Sequence, residues 1–199
     1  MHVHEEIELK WAVDAAGHAA LGRHLAQALG SPRILAQENR FFDTKDRRLR
    51  HARMNLRFRH ENGRLLLTCK RKTQDTAAGL AHHQEWEEWI DPALWEAPPE
   101  RWQATLPLPD AVRAAIAGQP LEALGGFRNH RREFRHRRGP VDELLCLDET
   151  AFAHHTDHEL EIETADPGGT LAHWRAALAT WGIPWRPQPL TKFARYLRT

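Results

Sequence analysis

The sequence predicts an α+β protein of about eight β-strands, mostly antiparallel, with helices near both ends. Three observations predict it. Most of the chain alternates polar and apolar residues, the period of a strand with two unlike faces. The connections between these segments are short, as antiparallel pairing allows. Only two long stretches carry apolar residues at helical spacing, one near each end of the chain.

Residues 6–11 alternate strictly, with Glu6, Glu8 and Lys10 on one face and Ile7, Leu9 and Trp11 on the other. The first helix, residues 14–29, opens on a capping candidate, Asp14. It carries Leu21, Leu25 and Leu29, and stops at Gly30-Ser31-Pro32. Residues 55–60 set Arg57 and Arg59 against Leu56 and Phe58, and Glu61-Asn62-Gly63 is a hairpin signal. Residues 64–72 set Leu66, Thr68 and Lys70 against Leu65, Leu67 and Cys69, and residues 84–90 set Glu85 and Glu87 against Trp86 and Glu88. Residues 92–119, rich in Pro and Trp, read as a surface insertion of two short helices packed by its tryptophans. Further strands are expected over 127–137, 143–148 and 158–164. The second helix follows over 170–181, with Leu171, Trp174, Leu178 and Trp181 as its core stripe, and a last strand over about 190–198 ends the chain.

The chain has 199 residues, the size of one domain, and a single domain over 1–199 is expected. Apolar residues make up 41% and charged residues 28%, a globular balance. No run of about 18 apolar residues occurs, so no membrane helix is expected. The start, Met-His-Val-His-Glu-Glu, lacks a basic and then apolar leader, so a secretory signal is not expected. Two cysteines, Cys69 and Cys146, lie in strand-like runs without metal-ligand spacing. Together these point to a cytoplasmic protein without disulfides.

The net charge of +1 conceals blocks of like charge. Between Arg40 and Lys72, twelve Lys or Arg face three acids, whereas nine acids and no Lys or Arg lie between Asp142 and Asp166. Such blocks either solvate separate faces or meet each other or a ligand. Glu159, Glu161 and Glu163 share one strand face, stepped by about 6.6 Å. Like charges so placed repel unless a cation joins them, and Glu6 and Glu8 repeat the arrangement. Carboxylates without His or Cys at ligand spacing favour Mg²⁺ or Mn²⁺ over Zn²⁺. Arg57, Arg59, Lys70 and Arg131 share the matching parity of their strands, and such side chains suit phosphate oxygens. His2 and His4 at the terminus, and His82, His83, His154 and His155 in expected loops, are not read as ligands. With Tyr196 the only tyrosine and a core-like tryptophan pattern, base stacking has little support and nucleic acid is not an expected partner.

Glu6-Ile7-Glu8-Leu9-Lys10 resembles the E-x-E-x-K signature of the CYTH superfamily, the triphosphate tunnel metalloenzymes. Further elements match in order: Phe42-Asp43-Thr44-Lys45-Asp46, Leu56-Arg57-Phe58-Arg59, Thr68-Cys69-Lys70, Glu85-Trp86-Glu87, Arg131 with Phe134, Leu147-Asp148-Glu149, Glu159-Leu160-Glu161-Ile162-Glu163 and Thr191-Lys192. The resemblance implies an eight-stranded antiparallel β-barrel forming a tunnel, with flanking helices. It is strongest to bacterial inorganic triphosphatases, here as a CYTH domain without the helical CHAD domain that often follows. It implies hydrolysis of inorganic triphosphate to pyrophosphate and phosphate with Mg²⁺ or Mn²⁺. Alternatives are a thiamine or nucleoside triphosphatase, an adenylate cyclase of the class IV type, and a non-catalytic polyphosphate-binding module. Carried over residue by residue, Glu6, Glu8, Glu159, Glu161 and Glu163 are the expected metal ligands. Glu6, Glu8 and Lys10 are the expected catalytic set, and Arg57, Arg59, Lys70, Arg131 and Lys192 the phosphate ligands. Glu85, Glu87 and Asp148 are expected to support the basic side chains. The expected partner is a small triphosphate, with no membrane, and a homodimer is left open.

Overall fold

The computed structural model describes residues 1–74 and 79–199. Among these, eight strands form a closed antiparallel barrel in the order β1-β5-β4-β3-β2-β6-β7-β8. The elements are β1 (His2–Val13), α1 (Ala15–Leu29), β2 (Arg33–Thr44), α2 (Arg48–His51), β3 (Met54–Glu61), β4 (Arg64–Lys72) and β5 (Leu80–Ile90). A 3₁₀ turn (Pro92–Trp95), α3 (Pro99–Trp102) and α4 (Asp110–Ile116) precede β6 (Leu121–Arg138), β7 (Val141–Ala151), β8 (Thr156–Glu163), α5 (Pro167–Thr180) and α6 (Lys192–Tyr196). No helix among the described residues is long and apolar enough to cross a membrane. The strand count therefore holds, but two strands differ from the sequence reading.

The chain divides into two compact units. One comprises Met1–Glu5, Gln37–Thr73 and His83–Phe127. Its core is the apolar parity of β3 and β4: Leu56, Phe58, Leu65, Leu67 and Cys69, roofed by Trp102, Val112 and Ile116. Trp102 is fully buried and packs edge-on against Phe42, so the Pro- and Trp-rich segment covers this core with three short helical pieces rather than two. Asn62 and Gly63 both have positive φ, at 50° and 76°, as the predicted hairpin turn requires. Strand β2 is absent from the sequence reading. Its residues Gln37, Asn39 and Asp43 are buried but polar, so the apolar–polar alternation that marks a half-wet strand is missing. Gln37 instead donates to the Glu61 carboxylate at 2.7 Å, and Asn39 accepts from Arg59 Nε at 3.1 Å.

The other unit comprises Glu6–Ala36, Gln74–His82 and Arg128–Thr199. Leu9, Trp11, Phe134, Leu145, Leu147, Leu160 and Ile162, the apolar parity of four strands, are covered by Leu21 and Leu25 of α1 and Trp174 and Leu178 of α5. The Asp14 side chain caps α1 by accepting from the Gly17 N–H at 2.7 Å. The end of the chain corrects the sequence reading: residues 192–196 are a helix, not a strand. Thr191 caps it, its hydroxyl accepting from the Ala194 N–H at 3.1 Å. A closed barrel leaves no edge for a ninth strand to pair with. His2, His4, His82 and His83 also prove to lie in strands β1 and β5 rather than in a loose terminus or loop.

Candidate active site

The polar parity of each unit gathers charge. In the first unit, Glu85 of β5 is buried among bases. Lys70 Nζ lies 3.1 Å from one of its oxygens, Arg57 Nη2 4.0 Å from the other, and His4 Nε2 3.7 Å away. The β4–β5 register places Lys70 directly opposite Glu85, and Thr68 opposite Glu87. Arg59, Arg57 and Lys70 thus occupy one face of adjacent strands, with Glu85 as the counter-charge of Arg57 and Lys70.

The second unit is richer in acids. Register sets Arg131 opposite Asp148, Asp148 opposite Glu159, and Cys146 opposite Glu161. On β1, Glu8 lies opposite Glu163 and Lys10 opposite Glu161. Paired residues point to the same face, so these side chains converge. Asp148, Glu159 and Glu161 each offer a carboxylate oxygen within 4.8 Å of the others. Lys192 Nζ stands among the three, 2.7 Å from Asp148, 2.8 Å from Glu161 and in contact with Glu159. Arg131 donates twice to Asp148, at 2.8 and 2.7 Å, and once to Glu161 at 2.8 Å. Lys10 donates to Glu8 at 3.2 Å.

Burial alone would neutralise these groups. It pushes the Asp148 carboxyl up and the Lys192 ammonium down, but in each case the opposite charges prevail. Arg131 and Lys192 hold Asp148 well below the usual carboxylate range, and Asp148, Glu159 and Glu161 hold Lys192 well above the usual lysine value. Arg131 is raised likewise, with Asp148 outweighing its burial. All three stay charged near neutrality. The two buried cysteines do not compete for reactivity, since burial pushes Cys69 up to about 12 and Cys146 well above the usual thiol value.

The donor chemistry fits a hard divalent cation. The three converging atoms are carboxylate oxygens, the ligands Mg²⁺ and Mn²⁺ prefer. The ammonium among them shows that the cluster accommodates a positive charge.

Several motif residues do other work. Asp43 accepts from the backbone N–H groups of Thr44, Leu49 and Arg50 at 2.8, 2.9 and 3.1 Å. Thr44 donates to Asp46 at 2.7 Å. That segment builds the turn out of β2. Asp148, read from sequence as a supporting acid, is fully buried at the centre of the cluster. Arg195 was not anticipated: it donates to Glu159 at 3.0 Å and pairs with Asp157 at 2.8 Å. Its spacing of three from Lys192 is a helical signal, hidden while the segment is read as a strand.

The CYTH domain model matches residues 4–177. The chain is 28% identical over 152 residues to YjbK of Bacillus subtilis, which carries a provisional triphosphatase assignment, covering 75% of this chain and 73% of that one. Its fold is similar to HpAC1 from Hippeastrum, provisionally assigned as an adenylyl cyclase and described as having a dominant triphosphatase activity. The TM-score is 0.84 at 29% identity, over 97% of this chain and 95% of that one. A Bacillus halodurans protein provisionally assigned as an adenylate cyclase shares the fold, with a TM-score of 0.72 at 24% identity over 98% and 99% of the two chains. A match across most of the chain, on a closed eight-stranded barrel, establishes that this protein belongs to the CYTH domain family.

Proposed function

We propose that this chain is a triphosphatase that hydrolyses inorganic triphosphate to pyrophosphate and phosphate with Mg²⁺ or Mn²⁺. The observation that carries the reading is the convergence of Asp148, Glu159 and Glu161 with Arg131 and Lys192. A binder of anions gains nothing from concentrated buried carboxylates, whereas a metal-assisted phosphoryl transfer needs them beside cations. The triphosphatase descriptions of YjbK and HpAC1 support the reaction class.

Glu6, Glu8, Glu159, Glu161 and Glu163, with Asp148, would hold the metal. When bound, it would neutralise phosphoryl charge and activate water. Arg57, Arg59, Lys70, Arg131 and Lys192 bind phosphoryl oxygens and offset the charge of the transition state. A carboxylate oxygen of Glu6 or Glu8 orients the attacking water and takes its proton. Lys10, bonded to Glu8, fixes that carboxylate.

The test is phosphate release from triphosphate, thiamine triphosphate, ATP and pyrophosphate, with Mg²⁺, with Mn²⁺ and with chelator. The expected kcat/KM is highest for triphosphate, lower for ATP, lowest for pyrophosphate, and nil without a divalent ion. Glu161→Gln and Glu8→Gln are expected to abolish turnover with the fold intact. Preferential conversion of ATP to cyclic AMP, or full activity in either variant, overturns the reading.

A further inference from the structure

On the opposite side of β7 and β8 from Asp148 and Glu159, three metal-ligating side chains converge. His18 of α1, Glu149 of β7 and His158 of β8 each place one donor atom within 4.8 Å of the other two. Glu149 and His158 are directly paired across the ladder, with carboxylate oxygen and Nε2 3.4 Å apart. The His18 and His158 rings stand 4.7 Å apart between centroids, tilted by 49°. Side chains alternate along a strand, so Glu149 and His158 point away from the carboxylate cluster although each adjoins one of its members in sequence.

We infer that His18, Glu149 and His158 form a zinc-binding site that clamps α1 to the outer wall of β7 and β8. Two imidazole nitrogens and one carboxylate oxygen suit Zn²⁺ and not Mg²⁺, and leave a fourth position for water. The ligands come from three separate elements, so a bound ion ties the helix to the sheet. Arg132 is the competing neighbour. Its Nη2 lies 3.3 and 3.4 Å from the two ring nitrogens of His18 and 3.4 Å from the His18 carbonyl oxygen. The guanidinium reaches this place past Gly22, where a Cβ would fall 2.1 Å from Nη1. When the ion takes a ring nitrogen, the carbonyl remains as the arginine's acceptor. Glu149 supplies the negative charge that offsets the ion beside Arg132. This site stands apart from the proposed hydrolysis and does not rest on it.

Cobalt(II) is the probe, because its visible d–d absorption reports nitrogen ligands and coordination geometry. Titrated into metal-stripped full-length protein with excess Mg²⁺, it is expected to fill one site with nitrogen-ligand bands that zinc then bleaches. Glu149→Gln and His158→Gln, at partly exposed positions, are each expected to weaken cobalt binding at least about tenfold with unchanged circular dichroism. His18→Gln is expected to do the same. Glu161→Gln is expected to leave the bands in place. Absence of bands in the parent protein, their persistence at parental affinity in His158→Gln and Glu149→Gln, or their loss in Glu161→Gln overturns the assignment.

Discussion

Asp148→Asn keeps the shape of the side chain and removes its charge. The carboxylate receives Arg131 Nε at 2.8 Å and Asn129 Nδ2 at 3.0 Å on one oxygen, and Arg131 Nη2 and Lys192 Nζ, each at 2.7 Å, on the other. Asparagine can serve the first pair through its carbonyl oxygen. Its amide then faces the second pair with hydrogens against hydrogens. Two charge-assisted bonds are lost, at about 1.5–3 kcal/mol each, which agrees with the ~3–5 kcal/mol for breaking a buried ion pair. For a chain of this length the melting temperature should fall by about 6–20 °C. The pH dependence has a definite sign. Burial raises the Asp148 pKa, but Arg131 and Lys192 depress it below the ordinary value of 3.8. The charge therefore contributes stability that is present above pH 3.8 and fades as the pH falls below it. Urea unfolding at pH 7 and pH 3 reads both effects, with the gap between parent and variant narrowing at pH 3. A gap within about 1 kcal/mol at pH 7, or one of equal size at both values, would refute the reasoning.

Three other outcomes are expected. Glu143, buried under α5, accepts from Thr170 Oγ1 at 2.6 Å, Trp174 Nε1 and His136 Nδ1 at 2.9 Å and Arg138 Nε at 3.0 Å. Burial raises its pKa, but these donors lower it from 4.5 to about 2, so its stabilisation is present above pH 4.5 and lost towards pH 2. Glu143→Gln should melt lower at pH 7 and lose less on acidification; parallel thermal-melt profiles from pH 5 to pH 2 would contradict this. Gly126→Ala would place a Cβ 1.7 Å from the Asn39 carbonyl oxygen, a backbone atom that cannot step aside. This variant should be destabilised by several kcal/mol, on the order of the overpacking limit, and parental urea resistance would show the approach to be looser. Arg59→Ala removes one proposed phosphate ligand, at about ten- to hundredfold in kcat/KM for triphosphate, and should flatten the preference over pyrophosphate. An unchanged ratio in steady-state assays removes Arg59 from the site.

Strand faces were legible in the sequence because a strand sends successive side chains to opposite sides. Leu56 and Phe58 could be separated from Arg57 and Arg59, and Glu159 and Glu161 from Leu160 and Ile162, by counting alone. Asp14 and Gly30 likewise marked the ends of α1, whereas α5 begins at Pro167, three residues before the expected start, because the Asp166 side chain caps it by accepting from the Gly169 N–H. Local chemistry failed where tertiary pairing supplied what the pattern lacked. In β2, Gln37 and Asn39 are acceptable inside because Glu61 and Arg59 meet them, and those partners lie some twenty residues away. Residues 192–196 became a helix because Thr191 caps them and the barrel has no edge left to extend.

The order of acids and bases along the chain was determined by the sequence alone, and with it the charge carried by each face. Which of them meet was decided by strand register, a property of the folded sheet. Register sets Arg131 against Asp148 and Asp148 against Glu159, and so brings the acid expected to support the basic side chains up to the carboxylates of β8. It also sets Glu149 against His158, and the packing of α1 adds His18, from a point in the chain more than a hundred residues away. No spacing rule relates residues across that distance, since loop length leaves their separation open until the sheet closes and the helix docks on it.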